Sequence, residues 1–392
     1  MKKIAKITVA LLLAVAMCFS LAGCYDEDLN WSAKYDDTEL PAGAYIYYLS
    51  IAYNEAASKV STEDEVLKSE IDGTPAETWI KNRADEYVNQ YFYIQSEMKR
   101  LGLEMTDEDY STCLQTTESY WNYFGTSFEK FGIAKTSFDI AYSQYNRMYL
   151  KVFNALYGEG GENEVPESEL RRHIEDDYYD YEYFSAPLTK TDDDNKSVDL
   201  TDEEKADLKE TLEKYKTKIE AGAMTVNDAA TDYALKVQKD STYQTGIKDE
   251  NGMQSSYMPD AFISAIKEMK EGEVEVVEST KYMIVLHRLP IKDDEDTLLE
   301  SSDNRSQLLL ELKNTEYADA VSAAAQSFEG VEWNQKVLNR YKPSMFADSS
   351  KNGTSSVASE SSDSGASSEE SSAESSETSS ETSETSSESS AE

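Results

Sequence analysis

Apolar residues recur at helical spacing along the first half of the chain. Tyr45, Tyr48, Leu49 and Ala52 fall on one face of a predicted helix that ends near Ala57. N-cap residues, first-turn prolines and capping carboxylates mark the starts of further helices. These helices are predicted over about residues 74–101, 106–123, 136–157 and 166–179.

The pattern changes near Tyr181, where aromatic residues form a segment with the composition of a β-strand. The predicted order is a strand, three helices and two strands, over about residues 181–185, 201–221, 226–237, 259–269, 274–278 and 282–289. That order predicts a compact α+β unit. One more long helix is predicted from Thr297 to Phe328. The predicted fold class is therefore α+β, with a helical lobe and a small domain built on a short antiparallel sheet.

The N-terminus has the features of a secretory signal. Lys2, Lys3 and Lys6 precede an apolar stretch that is too short to span a bilayer, and a Leu-Ala-Gly-Cys sequence ends at Cys24. This sequence resembles the lipobox of bacterial lipoproteins, which implies cleavage after residues 1–23 and a diacylglycerol thioether on Cys24. The chain would then be anchored by lipid on the extracytoplasmic face of the cell membrane. The alternative is an ordinary signal peptide with a chance cysteine.

Two segments are predicted to lie outside the folded part. Residues 24–40 are expected to form a tether that leaves the membrane. Residues 347–392 consist almost entirely of Ser, Glu, Thr and Ala, which predicts a disordered tail. The formal net charge of −40 argues against nucleic-acid binding, because recognition of phosphates needs clustered Lys and Arg.

Cysteine and histidine are too rare to predict a reactive cluster. Of the 3 cysteines, Cys18 falls in the signal peptide and Cys24 in the lipobox, so Cys113 has no disulfide partner and is predicted to be a buried apolar residue. The 2 histidines, His173 and His287, are far apart in the sequence. They give little support for a zinc cluster or a Ser-His-Asp triad. No metal site and no cofactor are predicted.

Several short segments follow one another in an order typical of one family. They are Leu-Pro-Ala-Gly-Ala-Tyr at 40–45, Val-Pro-Glu-Ser-Glu-Leu at 165–170, Lys-Glu-Gly-Glu-Val at 270–274, Lys-Tyr-Met-Ile-Val at 281–285 and Val-Glu-Trp-Asn at 331–334. Together they resemble the parvulin-type (PpiC/rotamase) foldases and chaperones of the SurA and PrsA group. The resemblance implies a discontinuous helical chaperone lobe, formed by residues 41–180 and by a returning helix within 292–346. A parvulin-like domain at 181–291 would lie between them.

The resemblance breaks at the positions where it implies catalytic histidines. Phe184 and Met283 occupy these positions, and His287 lies four residues beyond the second one. Asp240 is the candidate for the cysteine or aspartate of the family. An apolar cleft lacks the polar groups that act on the twisting carbonyl. The resemblance therefore implies an isomerase domain with reduced or absent activity.

Two groups of side chains are candidates for binding. Met253, Met258 and Phe262, with Phe184 and Met283, would line a proline pocket; the alternative is that they fill the core of a small domain. A second group, aromatic residues of the helical lobe, is suited to binding unfolded chains or else packs in the core. These residues are Tyr120, Trp121, Tyr123, Phe124, Phe128 and Phe131.

The predicted function is that of a membrane-anchored foldase or chaperone outside the cytoplasm. Its predicted partners are unfolded or newly exported polypeptides and, through the lipid on Cys24, the membrane. One alternative is a catalytically active peptidyl-prolyl isomerase. Another is a solute-binding or surface-attachment lipoprotein, which the absence of repeated β/α units disfavours.

Overall fold

The computed structural model describes residues 29–61, 65–192, 194–236 and 243–347. The predicted signal peptide, Cys24, Asp240 and the tail from residue 348 onward lie outside the described residues. Within the described part, none of the helices is both long enough and apolar enough to cross a membrane.

The first part of the chain forms most of a helical lobe, which comprises residues 29–177 and 291–347. Its first helices are α1 (Ala42–Ser58), α2 (Ala76–Arg100), α3 (Asp107–Lys130), α4 (Lys135–Phe138), α5 (Tyr145–Tyr157) and α6 (Glu167–Asp177). A π-helical segment, Asp139–Gln144, joins α4 to α5. Helix α1 is buried on nearly all sides because α2 and α4 pack against it. This explains its high content of Ala and Tyr and its lack of charged residues in the first turns.

The last part of the chain returns to the same lobe. It forms α11 (Glu295–Glu300), α12 (Ser302–Gln326) and α13 (Gln335–Arg340), so the predicted long helix is interrupted at Ser301. Helix α12 packs along α2 and buries its apolar face there. Two side-chain hydrogen bonds fix the register: Ser322 donates to Glu86 at 2.5 Å, and Asn89 donates to the carbonyl oxygen of Ala325 at 3.1 Å.

The predicted tether at 24–40 is wrong from Trp31 onward. Strands β1 (Trp31–Tyr35) and β2 (Thr38–Pro41) form a three-stranded antiparallel sheet with β11 (Glu332–Trp333), in the order β11-β1-β2. Ala33 and Leu40 are fully buried in the core of the lobe. This burial depends on a segment 300 residues further along the chain, which local patterns cannot reveal. A short hairpin of β3 (Glu70–Ile71) and β4 (Thr74–Pro75) precedes α2.

Residues 178–290 form the small domain. Its strands are β5 (Tyr178–Pro187), β6 (Thr189–Thr191), β7 (Ser197–Asp199), β8 (Tyr243–Asp249), β9 (Val274–Glu278) and β10 (Tyr282–Leu289). Its helices are α7 (Asp202–Glu220), α8 (Val226–Lys236), α9 (Glu250–Ser255) and α10 (Asp260–Glu268). Four strands make one antiparallel sheet in the order β8-β5-β10-β9, and β6 and β7 form a separate hairpin. The predicted α+β class is confirmed.

The central sheet is covered on both sides, and its side chains alternate between two cores. Phe184, Met283 and Val285 point toward α7 and α8. Tyr181 and Ile284 point toward α9 and α10. We call these the α7/α8 face and the α9/α10 face. The sequence prediction missed β8 and the β6–β7 hairpin, because their short polar sequences lack the apolar alternation of a half-buried strand.

Gly43 marks the closest approach of α1 to α4. A Cβ atom on Gly43 would lie 2.5 Å from the Ser137 Oγ and 2.8 Å from its Cβ. We expect Gly43→Val to lower the free energy of unfolding by about 1–3 kcal/mol, because the added methyl groups force the two helices apart. Urea denaturation measures the loss. Asn54→Val, at an exposed position of α1, is the control and should change stability by less than about 0.5 kcal/mol. Equal losses in both variants would contradict the close approach.

Candidate functional site

Helix α3 is attached to the lobe through a row of buried polar contacts. Asp109 accepts hydrogen bonds from Arg147 at 2.6 Å and from Lys151 at 2.7 Å. Two turns further on, Thr117 donates to Asp139 at 2.7 Å. The partners belong to the π-helical segment and to α5, where they recur at helical spacing. We call this row the polar seam; it fixes the register of α3 against the lobe.

Asp109 also caps its own helix. The Thr106 hydroxyl accepts from the Asp109 amide, and the Asp109 carboxylate accepts from the Thr106 amide, which is a complete capping box. Burial opposes the ionisation of Asp109. Hydrogen bonds from Lys151, the Thr106 amide and Arg147 outweigh it and hold the pKa of this carboxyl well below its usual value. Asp109 is therefore a carboxylate at neutral pH.

Cys113 lies in the middle of the polar seam and is 2% exposed. Its thiol points at the carbonyl oxygen of Ser143, 3.5 Å away. Burial and the nearby charge of Asp139 raise the pKa of this thiol to about 11. The prediction that Cys113 is a buried residue is confirmed.

The second half of α3 carries the aromatic candidates predicted for client binding. Phe128 is buried and stacks on Phe138 at 5.1 Å between ring centroids. Tyr120, Trp121, Phe124 and Phe131 are partly buried around the core of the lobe, and Tyr123 is 84% exposed. The structure thus brings most of them into one cluster with α4 and the π-helical segment, and leaves Tyr123 on the outer side.

Sequence reasoning missed two exposed apolar residues at the start of α3. Tyr110 is 45% exposed and Leu114 is 57% exposed. Their spacing of four places them on one edge of the helix, in line with Trp121 seven residues beyond Leu114. We call these three residues the apolar stripe; it runs about 16 Å along α3. The i, i+4, i+11 spacing was readable in the sequence, but only the structure shows that Tyr110 and Leu114 face outward.

Gly125 keeps Trp121 flat on the surface of its own helix. A Cβ atom at Gly125 would lie 2.6–2.8 Å from three atoms of the Trp121 indole ring. Only glycine allows the ring to lie over this turn. The ring therefore forms the C-terminal end of the apolar stripe and remains partly exposed.

In the small domain, Phe184 and Met283 are core residues of the α7/α8 face. Phe184 is fully buried and Met283 is 1% exposed. The Phe184 ring meets Tyr215 of α7 at 6.1 Å edge to face, and Tyr233 of α8 at 5.8 Å. No peptide reaches these two side chains unless α7 and α8 move.

The candidates for the proline pocket lie on the other side of the sheet. Met253 and Phe262 are buried on the α9/α10 face, and Met258 is partly buried beside them. The sheet separates these three residues from Phe184 and Met283. The structure therefore does not bring the five candidates together in one pocket, because α9 and α10, which carry Met253 and Phe262 and flank Met258, pack on the opposite face of the sheet.

His287 belongs to a polar network on the α7/α8 face. Its Nδ1 lies 2.8 Å from one oxygen of Glu182, and the Tyr243 hydroxyl donates to the other oxygen at 2.7 Å. Burial alone would raise the pKa of Glu182, but these two hydrogen bonds lower it. A carboxylate at Nδ1 favours the tautomer with the proton on that nitrogen. The Nε2 lone pair of His287 is then available as a hydrogen-bond acceptor or base.

The described residues contain no group of three or more His, Cys, Asp or Glu side chains that is arranged to hold a metal ion. Asp240, the candidate for the cysteine or aspartate of the family, lies outside the described residues, so its position relative to the other candidates is not described.

No protein-family model matches the chain, and no curated protein matches its sequence. Three solved structures of PrsA foldase proteins are similar. The one from Streptococcus pneumoniae str. Canada MDR_19A is 13% identical, with a TM-score of 0.34 over 71% of this chain and 97% of that one. The one from Lactococcus lactis is 14% identical, with a TM-score of 0.32 over 81% and 98%. The one from Bacillus subtilis is 15% identical, with a TM-score of 0.29 over 71% and 93%. Because every TM-score is below 0.5, these similarities do not assign a function.

We expect Asp109→Ala to destabilise the fold by about 3 kcal/mol at pH 7, because it leaves Arg147 and Lys151 without their buried partner and removes the helix cap. The partial exposure of both cations keeps the loss at the lower end of the range for buried ion pairs. Urea denaturation measures it. Asp107→Ala, at an exposed position in the same helical turn, should cost less than about 1 kcal/mol. Similar costs for the two variants would show that the polar seam does not hold α3.

Proposed function

We propose that this chain is a lipid-anchored foldase or chaperone on the extracytoplasmic face of the membrane, which binds exported unfolded polypeptides through its helical lobe. The observation that carries the proposal is the apolar stripe of Tyr110, Leu114 and Trp121. Tyr110 and Leu114 are exposed one helical turn apart, and clustered apolar side chains on a soluble surface mark binding sites. Aromatic and flexible apolar groups suit partners of varied sequence.

The anchor and the location rest on the N-terminal sequence. The lipobox-like residues that end at Cys24 support lipidation there. A lipid at Cys24 would place the folded part close to the membrane surface, where exported chains emerge before they fold. The net charge of −40 would also favour basic clients over acidic ones.

We further propose that the small domain has lost most isomerase activity. Rotation about a prolyl bond has a barrier of about 18–20 kcal/mol, so a catalyst needs polar groups near the twisting amide. Phe184 and Met283 supply none, and both are buried under α7 and α8. Their burial supports a structural role for the region that the resemblance marks as catalytic.

The double variant Tyr110→Ser, Leu114→Ser tests client binding. We expect its affinity for a permanently unfolded protein, such as reduced and carboxymethylated lactalbumin, to fall by roughly tenfold or more, because two large apolar contacts are lost. Fluorescence anisotropy of the labelled client measures the dissociation constant. Both residues are already exposed, so the fold should remain intact.

Leu235→Ser, Tyr257→Ser is the matched control, since it removes the same two residue types from the small domain. Leu235 is 82% exposed and Tyr257 is 94% exposed. The control should bind the client as tightly as the unmodified chain does. If both double variants weakened client binding equally, or if Tyr110→Ser, Leu114→Ser did not weaken it, the apolar stripe would not be the client-binding site.

A second candidate function, catalytically active prolyl isomerisation, is favoured by the network of His287, Glu182 and Tyr243. A histidine whose Nδ1 is held by a carboxylate is a common arrangement for proton transfer. In this alternative, His287 would take the role that the resemblance gives to histidines at Phe184 and Met283.

If the small domain has lost isomerase activity, the chain without its lipid should not measurably accelerate isomerisation of a prolyl peptide. The variant His287→Gln should then leave the isomerisation rate unchanged. A protease-coupled or NMR exchange assay measures the rate. Active isomerisation would instead give a rate that falls by about 10²–10⁴-fold in His287→Gln. Glu268→Gln, at an exposed position of α10, is the control for either outcome.

A further inference from the structure

Helix α13 lies at the end of the helical lobe where the described chain begins. Leu29 packs against the core of the lobe. The Asn334 side chain donates to the carbonyl oxygen of Trp31 at 2.9 Å, and α13, which starts at the next residue, packs against β1. Helix α13 is therefore next to the point from which the chain would lead to the lipid on Cys24.

Three cations lie on the outer side of α13 and of the residues that follow it. Lys336, Arg340 and Lys342 are exposed, whereas Val337 is fully buried and fixes the helix on the lobe. Residues 333–347 contain no Asp or Glu. In a chain with a formal net charge of −40, this segment is a local reversal of charge. We call the three cations the basic face.

The arrangement of the basic face favours a bound anion. Lys336 and Arg340 are four residues apart, so they lie on one side of α13 and repel each other. Among the described residues, Arg340 and Lys342 form no ion pair with a carboxylate. The carboxylates of the neighbouring three-stranded sheet lie opposite Lys34 in the strand register. An anionic group over α13 would thus relieve a repulsion that the fold leaves in place.

The length of chain before Leu29 limits which anions are close by. Only residues 24–28 would connect the lipid on Cys24 to Leu29. Even when fully extended, they span no more than about 18 Å. The membrane surface would then stay within about two Debye lengths of this end of the lobe at physiological salt. Residues 26–28 are acidic, so close approach to an anionic surface needs cations from the lobe.

Tyr341 adds an aromatic ring to the basic face. The ring is partly exposed, and the guanidinium of Arg340 lies 5.9 Å from its centroid. Tyrosine is enriched at the membrane–water interface, where its ring lies at the level of the headgroups. Cations beside such a ring fit lipid headgroups better than they fit a small soluble anion.

We propose that the basic face docks on anionic headgroups of the membrane that holds the lipid, and that it thereby sets the orientation of the helical lobe on that surface. This inference rests on the proposed lipidation of Cys24. The diacylglycerol supplies the attachment. The basic face selects the orientation, because an anionic surface attracts this segment and repels the strongly acidic remainder of the chain.

Docking would leave the apolar stripe accessible. Phe346, which follows the basic face in the chain, contacts Phe131 at the C-terminal end of α3, with 4.8 Å between the ring centroids. Tyr110 lies roughly 30 Å further along α3 from Phe131. Client binding and membrane docking would therefore use separate surfaces of the lobe.

Photo-cross-linking on vesicles tests the docking. The chain without its signal peptide is coupled through the Cys24 thiol to a maleimide lipid; Cys113 is 2% exposed and should not react. Asn339, an exposed residue of α13, is replaced by benzoylphenylalanine, which forms covalent adducts with its neighbours on illumination. We expect roughly fivefold more lipid adduct on phosphatidylglycerol vesicles than on phosphatidylcholine vesicles, because only the former are anionic. The difference should disappear in about 0.5 M salt, which screens the attraction.

The triple variant Lys336→Gln, Arg340→Gln, Lys342→Gln removes the basic face. It should give the same low yield of lipid adduct on both kinds of vesicle. The three side chains are exposed, so the fold should remain intact. The comparison of the two kinds of vesicle also stands without this variant.

A matched control removes the same charge from the small domain. The variant Lys209→Gln, Lys214→Gln, Lys218→Gln changes three exposed positions of α7. The difference between the two kinds of vesicle should persist in it.

Equal adduct yields on the two kinds of vesicle, or an undiminished difference in the triple variant of the basic face, would overturn the docking. Mass spectrometry of the adducts identifies the partner. Adducts with the acidic residues at 26–28 or with the tail, in place of lipid, would also overturn it, since the cations would then serve the chain itself.

The chemical attachment makes the vesicle result independent of lipidation in the cell. Mass spectrometry of the chain isolated from cells tests that lipidation separately. A mature chain without diacylglycerol on Cys24 would overturn the anchor and, with it, docking in the cell. Equal adduct yields on the two kinds of vesicle would overturn the docking alone and leave the anchor in place.

Discussion

The packing of α12 along α2 is the interaction on which the remaining architecture depends. It closes the helical lobe with residues from both ends of the described chain and makes the small domain an insertion between them. The apolar residues on the α2 side of α12 provide the energy, and the hydrogen bonds of Ser322 and Asn89 select one register. Because of this register, Glu311 lies opposite His173. The link between α6 and α12 is thus a consequence of how the lobe is closed.

Helix α3 is held in a different way, and this difference explains its exposed surface. Its inner face presents Asp109, Cys113 and Thr117 to polar partners instead of a continuous apolar row. Polar contacts fix one alignment but bury little apolar surface, so they stabilise less than a close-packed core does. Aromatic residues are therefore divided between the inner cluster around Phe128 and the outer apolar stripe. The result is a helix with a defined position and an accessible apolar edge.

Local signals in the sequence predicted the elements that depend on neighbouring residues. The capping boxes at Thr106 and Thr201 start α3 and α7 where expected, because the capping atoms lie three residues apart. Contacts between distant segments were missed. Ala33 and Leu40 are buried by strands whose third member lies near residue 333, and β8 forms only because β5 supplies its hydrogen-bond partners. The spacing of Tyr110 and Leu114 is likewise visible in the sequence. Their exposure is not, because it depends on how α3 packs against distant segments.

Neighbouring side chains on each strand of the central sheet point to opposite faces, and the two faces separate the candidate site residues into two groups. Phe184, Met283 and His287 share the α7/α8 face, but only His287 belongs to the polar network with Glu182 and Tyr243. Met253 and Phe262 are on the opposite face, so no single bound prolyl ring can contact both groups. Catalysis at the buried positions would require displacement of two helices, whereas binding along the apolar stripe requires no rearrangement. The two proposed activities are therefore physically separable in this chain, and client binding along the apolar stripe would not depend on isomerisation.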